Sequence, residues 1–177
     1  APYRVDGKDA GEVVLAIPEP QARRLGDGIP VAPQDWEPVI AVVQRWEERR
    51  WPADLHGAFV NGDPDVAFIA DDGDRRGDGA PVLVVHTTGD AARRSLDDPD
   101  AAIAPVVAAT RRLLRIDAEP VATHVHRWTF ARPLRATGEP FFRSPGLSLC
   151  GDAWGESPAV RTAWASGDSL GRALAAS

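Results

Sequence analysis

An α+β fold on a largely antiparallel sheet is what this sequence predicts, and three observations predict it. Short apolar runs of strand character recur along most of the chain, from Val13–Ile17 to Leu147–Cys150. One helical period interrupts them over Asp100 to Leu114, and a second closes the chain from about Ser157 to Ala176. Neighbouring runs are joined by short turns, as at Gly62-Asp63-Pro64. Strands clustered around one central helix, with a helix at the end, read as α+β.

Taken in order, Gly11 to Ile17 reads as a continuous apolar strand buried on both faces and closed by Pro18-Glu19-Pro20. A short helical turn follows over Gln21 to Leu25, then the loop Gly26-Asp27-Gly28-Ile29-Pro30. Pro38 to Trp46 is rich in β-branched residues and reads as a strand with Glu47-Glu48-Arg49-Arg50 as its solvated end. His56–Asn61 and Val66–Ala70 are two further strands, Asp71 to Gly79 a polar hairpin-type loop, and Val82–Thr88 another strand. The central helix places Ile103, Val106, Val107, Thr110, Leu113 and Leu114 on one face, with Pro99 near its start. Val121–Phe130 and Leu147–Cys150 return to strand.

In the closing segment Ser157 reads as N-cap and Pro158 as the first helical residue. Val160, Ala163, Trp164, Gly167, Leu170, Gly171 and Leu174 then form one stripe. Each interior glycine costs a helix about 1 kcal/mol, so Gly167 and Gly171 suggest close approach of another backbone or of a ligand.

Composition narrows the function. The 177 residues, 44% hydrophobic and 26% charged, suit one domain or a domain with a small lobe. No apolar run approaches the roughly 20 residues of a membrane span, so no membrane partner is expected. The net charge of −6 and the single lysine, Lys8, argue against a phosphate-backbone surface, so no nucleic-acid partner is expected either. The lone Cys150 fits a reducing compartment and a cytoplasmic location, and its apolar surroundings make it a buried small residue. Methionine is absent and the first residue is alanine, which suggests residues upstream.

The strongest local pattern is the strand, Gly151-Asp152, and the loop through Trp154 and Gly155 into the final helix. Gly155-Glu156-Ser157-Pro158-Ala159 mimics a nucleophile elbow, but the loop is too long for a sharp elbow and no histidine follows Ser157. His124 and His126 alternate on one strand and share a face, but no third ligand stands at suitable spacing, so no metal is expected. His126-Arg127-Trp128 combines a titratable ring, a cation and an aromatic, a set suited to a planar anionic ligand or to an ordinary surface. Trp154 is placed to stack on a ring. No G-x-G-x-x-G follows any strand, so the chain carries no dinucleotide pyrophosphate site of its own.

Four stretches in this order carry a resemblance: Val13-Val14-Leu15-Ala16-Ile17-Pro18-x-Pro20-Gln21-Ala22, His56-Gly57-Ala58-Phe59-Val60-Asn61, His126-Arg127-Trp128-Thr129-Phe130-Ala131-x-Pro133, and Gly151-Asp152 to Gly167. Together they resemble the C-terminal portion of bacterial renalase-like proteins of the FAD-dependent amine oxidase superfamily. The resemblance implies a two-domain flavoprotein whose N-terminal glycine-fingerprint lobe is absent here and would be a partner of this chain. Residues 1–25 would then be a strand and turn of the FAD lobe, 26–145 the substrate-domain sheet with its central helix, and 146–177 the strand, Gly-Asp loop and closing helix of the FAD lobe.

On that resemblance Gly151, Asp152, Trp154, Ser157, Pro158, Ala159 and Val160 fall at the FAD, with Asp152 by the ribityl chain and the helix start by the flavin pyrimidine edge. His126 and Trp128 would be the catalytic pair lining the substrate cavity. The implied activity passes a hydride from a small-molecule substrate, an amine or a reduced nicotinamide of the NAD(P) type, to FAD and then to oxygen. The isolated chain is expected to be inactive and to hold FAD weakly or not at all. The alternative is a non-catalytic ligand- or partner-binding α+β domain.

Overall fold

The computed structural model of the chain describes residues 3–25 and 34–176. These divide into two compact units, one formed by Pro38–Ala131 and one discontinuous, formed by Ala1–Glu37 and Arg132–Ser177. The architecture is α+β with mostly antiparallel sheets, as the strand order implied. No described helix is long and apolar enough to cross a membrane. The loop Gly26–Pro30 lies outside the described residues.

The chain opens with β1 (Tyr3–Val5) and β2 (Lys8–Ala10), an antiparallel hairpin. Asp6 and Gly7 turn it, both at positive φ, 48° and 77°. That is the Asp-Gly signature of a two-residue hairpin, and it is a signal the sequence reading passed over. Strand β3 is Val13–Leu15 only, and Val14 is 44% exposed, so the expected doubly buried run over Gly11–Ile17 is shorter and half solvated. The reason is its place at a sheet edge, where it pairs in parallel with a single later strand. Helix α1 (Glu19–Arg23) follows. Its Glu19 carboxylate is buried, ion-paired to Arg23 and accepting the Gln34 N–H at 3.2 Å.

The second unit is built on five strands: β4 (Trp36–Arg45), β5 (Gly57–Phe59), β6 (Val66–Asp71), β7 (Val82–Thr87) and β8 (Ala122–Pro133), in the spatial order β5-β6-β7-β4-β8. Between β6 and β7 the expected loop is instead a helix, α2 (Asp72–Arg76). Asp71 caps it by accepting the Asp74 N–H, Asp72 pairs with Arg75 and Arg76 one turn on, and Gly77 closes it at φ 77°. A cap, (i, i+3) and (i, i+4) ion pairs and a left-handed glycine are a complete set of short-helix signals. Glycine density concealed them.

Helix α3 (Gly89–Arg94), capped by the Thr88 hydroxyl, was also not foreseen. The central helix splits into a 3-10 turn at Pro99–Ala102 and α4 (Ile103–Leu114). These helices cover one face of the sheet. Ile40, Val42, Leu83 and Val85 meet Ala102, Val106 and Ala109 in one cluster, with Trp46 and Trp51 against it. Gln44 sits fully buried within it and donates to the Thr110 hydroxyl at 3.0 Å.

The chain returns to the discontinuous unit with β9 (Phe142–Ser144) and β10 (Leu147–Leu149), a tight hairpin beside β3. Ser148 is fully buried and donates to Glu12. The closing helix α5 runs Val160–Ala175. It starts three residues beyond the expected Ser157 cap. Its N-cap is Ala159, with no side-chain capping bond, because the Ser157 C=O accepts the Thr162 hydroxyl at 2.7 Å and so lies outside the helix.

The stripe on α5 is corrected too. Ser166 and Leu170 are the buried residues, whereas Val160 and Trp164 are 89% and 72% exposed. Among the described residues nothing approaches Gly167 or Gly171 closely, so the expected close contact is not made among them.

Candidate functional site

In the discontinuous unit β10 delivers the chain through Cys150, whose N–H bonds to the Leu15 C=O, into Gly151 and Asp152. Cys150 is buried, and burial raises its thiol above the ordinary range, which leaves it an unreactive packing residue. Gly151 has φ 148°, a conformation that favours glycine, and its N–H donates to Ser166 Oγ at 3.1 Å. This bond ties the loop to α5 and explains why a serine occupies the buried stripe.

Asp152 is half-buried beside a small cleft of about 150 Å³ lined by Ala16, Pro18, Trp36, Gly151 and Trp154. Burial raises its carboxyl above the usual carboxylate range, and the backbone N–H groups of Asp152 and Ala153 offset only part of this. Trp154 is 8% exposed and its ring meets Phe142 at 6.3 Å, so the ring it stacks on belongs to its own unit.

The loop is pinned from outside by Thr137, whose N–H donates to the Ala153 C=O, and by Gly138, whose N–H donates to the Gly155 C=O. At Gly155, with φ 122°, an added Cβ would stand 2.8 Å from Thr162 Cγ2. This position therefore requires glycine twice over, for its backbone angle and for its space. A second cleft of about 480 Å³ opens along the first turns of α5, lined among others by Ser157, Arg161, Thr162 and Ser166. Arg161 and Ser166 had not been picked out from the sequence. Arg161, in the first turn of α5, gives this cleft a cation. Ser157 and Pro158 stand in the approach to the helix, and Ala159 and Val160 form its actual start.

His126 and Trp128 belong to the sheet unit. On β8 the odd residue Val125 packs toward the helix-covered core, so the even residues His124, His126 and Trp128 face the opposite side. They are not core residues: His126 is exposed and Trp128 is 52% exposed, and their rings meet edge to face at 4.4 Å.

The same face carries groups the sequence reading did not name. Phe68 on β6 lies across from His86 on β7, and Phe59 on β5 across from Phe68. The three rings touch in series at 5.1 and 5.8 Å. Gly57 lets the Phe68 ring lie over β5, since a Cβ there would meet it at 3.0 Å. Burial lowers the His86 pKa, which keeps this imidazole neutral at pH 7. Only strand pairing across three strands could have gathered these rings, and pairing is not written in local spacing.

Residues 4–170 match the sequence model of the flavin containing amine oxidoreductases. The chain belongs to that family. Among solved structures the chain is similar to a protein assigned as a protoporphyrinogen oxidase from Exiguobacterium sp. 255-15, with a TM-score of 0.66 at 17% identity. The match covers 92% of this chain and 40% of that one, so the chain spans less than half the length of its structural neighbour. At that identity the likeness shows a shared fold.

The residues of the Gly-Asp loop fit a flavin dinucleotide. A desolvated carboxylate stands beside a glycine whose backbone lies open, with no atom within 4 Å of where a Cβ would be. A helix start without a side-chain cap follows it.

Proposed function

We propose that the discontinuous unit completes the FAD-binding lobe of an amine-oxidase-type oxidoreductase, and that the open sheet face over residues 38–131 faces its substrate. The observation that carries the reading is Asp152. A half-buried carboxylate answered only by backbone N–H groups is costly, and hydrogen bonds from the hydroxyls of a polyol such as the ribityl chain would offset that cost. Gly151 leaves the approach open, and the N–H groups at the start of α5 offer partial positive charge to an electron-rich ring edge. When bound, the flavin supplies the hydride-accepting chemistry. The protein's part at the Gly-Asp loop is to hold the ring, and His126 and Trp128 are the proposed substrate contacts on the sheet unit.

Renalase-like specificity, with a reduced nicotinamide as hydride donor and oxygen as final acceptor, is the finer form of this proposal. It is supported by the His126-Arg127-Trp128-Thr129-Phe130 and Gly151-Asp152 stretches. A glycine-fingerprint lobe would be the partner that brings the pyrophosphate site.

The test uses the protein extended upstream to include that lobe. Purified with FAD, it should retain visible flavin absorbance, and Asp152→Ala should release FAD about 10-fold more readily, the effect of losing one strong hydrogen bond to a charged group. A full-length protein that stays colourless after reconstitution would overturn the flavin reading and leave a ligand-binding α+β domain.

A further inference from the structure

Helix α5 does not start where its local chemistry favours a start. Ser157-Pro158 is a good cap followed by a good first residue. The helix is capped instead by Ala159, extended at φ −163° and ψ 158° and offering no side-chain bond. One side chain accounts for the difference. Thr162, half-buried in the first turn, donates its hydroxyl to the Ser157 C=O at 2.7 Å. Inside a helix a threonine hydroxyl reaches the carbonyl three or four residues back. Ser157 is five back. The bond therefore exists only while Ser157 to Ala159 stay out of the helix.

The consequence falls on three backbone donors. The first intrahelical bond runs from the Ala163 N–H to the Ala159 C=O, so the Val160, Arg161 and Thr162 N–H groups precede the ladder. A helix begun at Ser157 would consume all three. The Ser157 hydroxyl would accept from Val160, the Ser157 C=O from Arg161 and the Pro158 C=O from Thr162.

We propose that Thr162 is a positioning residue for the cofactor, whose hydroxyl holds the Ser157 carbonyl out of the helix and so keeps these three N–H groups open to an electron-rich ring edge. The inference rests on the reading that the start of α5 meets the flavin. It separates the two branches of the Thr162 side chain. The methyl lies against Gly155, and the Gly155 C=O is held in turn by the Gly138 N–H at 2.8 Å, so the methyl packs the loop. The hydroxyl alone sets the helix start. Thr162→Val keeps the branched shape without the hydroxyl, and Thr162→Ser keeps the hydroxyl without the methyl.

The experiment has two arms. In the 177-residue chain, NMR follows the Cα shifts of Pro158 and Ala159 and the exchange of the Val160 amide. Thr162→Val should move both shifts to helical values and slow Val160 exchange several-fold, with no fall in the urea midpoint, because the gained Ser157 cap offsets the lost bond. Thr162→Ser should keep the wild-type start. In the protein extended upstream and loaded with FAD, Thr162→Val should release the cofactor several-fold faster, and Thr162→Ser should stay close to wild type.

Ala159 remaining extended in Thr162→Val would overturn the proposal, since the hydroxyl would not then set the start. Equal FAD release from the two variants, or a moved helix start with unchanged release, would overturn it as well. The NMR arm does not depend on FAD. A flavin-holding protein with any of these results loses the role of Thr162 alone, whereas a complete protein that never holds FAD loses the flavin reading whatever the helix start does.

Discussion

Between its sheet and α4 the sheet unit gathers thirteen described apolar residues, from Ile40 to Ile116, into one buried cluster, whereas the cluster of the discontinuous unit holds five, Ala22, Leu147, Leu149, Ala153 and Trp154. The two also treat a carboxylate out of water in opposite ways. Asp71 in the sheet unit is buried, and burial alone would raise its pKa. The Trp51 indole, the Asp74 N–H and Arg49 outweigh that and hold it below the ordinary range. Asp152 in the discontinuous unit is raised because only backbone groups answer its burial. A carboxylate with every oxygen satisfied supports the fold, and one left short of partners is set out for something else.

The sharpest way to break this comparison is to neutralise each carboxylate. Asp71→Asn removes the acceptor shared by Trp51 and Arg49 and should cost about 3 kcal/mol, read as a lowered urea midpoint. Asp152→Asn should leave stability at pH 7 unchanged or higher while weakening FAD retention in the complete protein. The signs of the pH dependence follow. Asp71's folded pKa is depressed, so its contribution is present above its unfolded value near 3.8 and is lost as pH falls through the folded value. Asp152's folded pKa is raised, so its cost is felt at neutral pH and is relieved as pH falls through that raised value. Stability curves of the two variants against pH should diverge from wild type in opposite directions; parallel curves would erase the distinction.

A smaller effect sharpens the description of the Gly-Asp loop. Gly155→Ala forces a side chain into a left-handed conformation and against Thr162 Cγ2, and should cost about 2 kcal/mol. Adding Thr162→Ser removes the opposing methyl and should recover about half of that cost. If the double variant is no better than the single one, the clash with Thr162 contributes nothing and backbone strain accounts for the whole loss.

The smallest effect is expected on α5. Trp164 is 72% exposed, so Trp164→Gln should change the stability of the chain by no more than about 0.5 kcal/mol. Trp46, 2% exposed in the sheet-unit core, provides the contrast, with a cost of about 3–5 kcal/mol on conversion to alanine. Thermal melts of both variants decide it, and comparable losses would mean that α5 buries a face the structure shows as open.

Much of this was legible before the structure. Strands β4, β6, β7 and β8 announce themselves by β-branched apolar runs, α4 by its period, and the Gly151-Asp152 loop by the strand before it and the helix after it. These are local signals, carried by residues a few positions apart. Helix α2 was hidden by the three glycines of its neighbourhood, Gly73, Gly77 and Gly79, although Asp71, Asp72 and Gly77 are ordinary caps and pairs. The start of α5 was misplaced because Ser157 and Pro158 suit a helix start in isolation, while the bond from Thr162 to the Ser157 carbonyl makes Ala159 the cap.

From the sequence alone came the strand-rich α+β class, the alternation that sets His126 and Trp128 on one side of a strand, and the strand before and helix after Gly151-Asp152. Each follows from backbone geometry with a period of two or 3.6 residues. Only the tertiary structure decided that this side of β8 is open and not core, and that Phe59, Phe68 and His86 share it. It also decided that Asp152 stands desolvated while Asp71 is paired. Those outcomes depend on which strands lie beside one another and which groups reach a buried charge, and contacts between residues far apart in the chain leave no period to read.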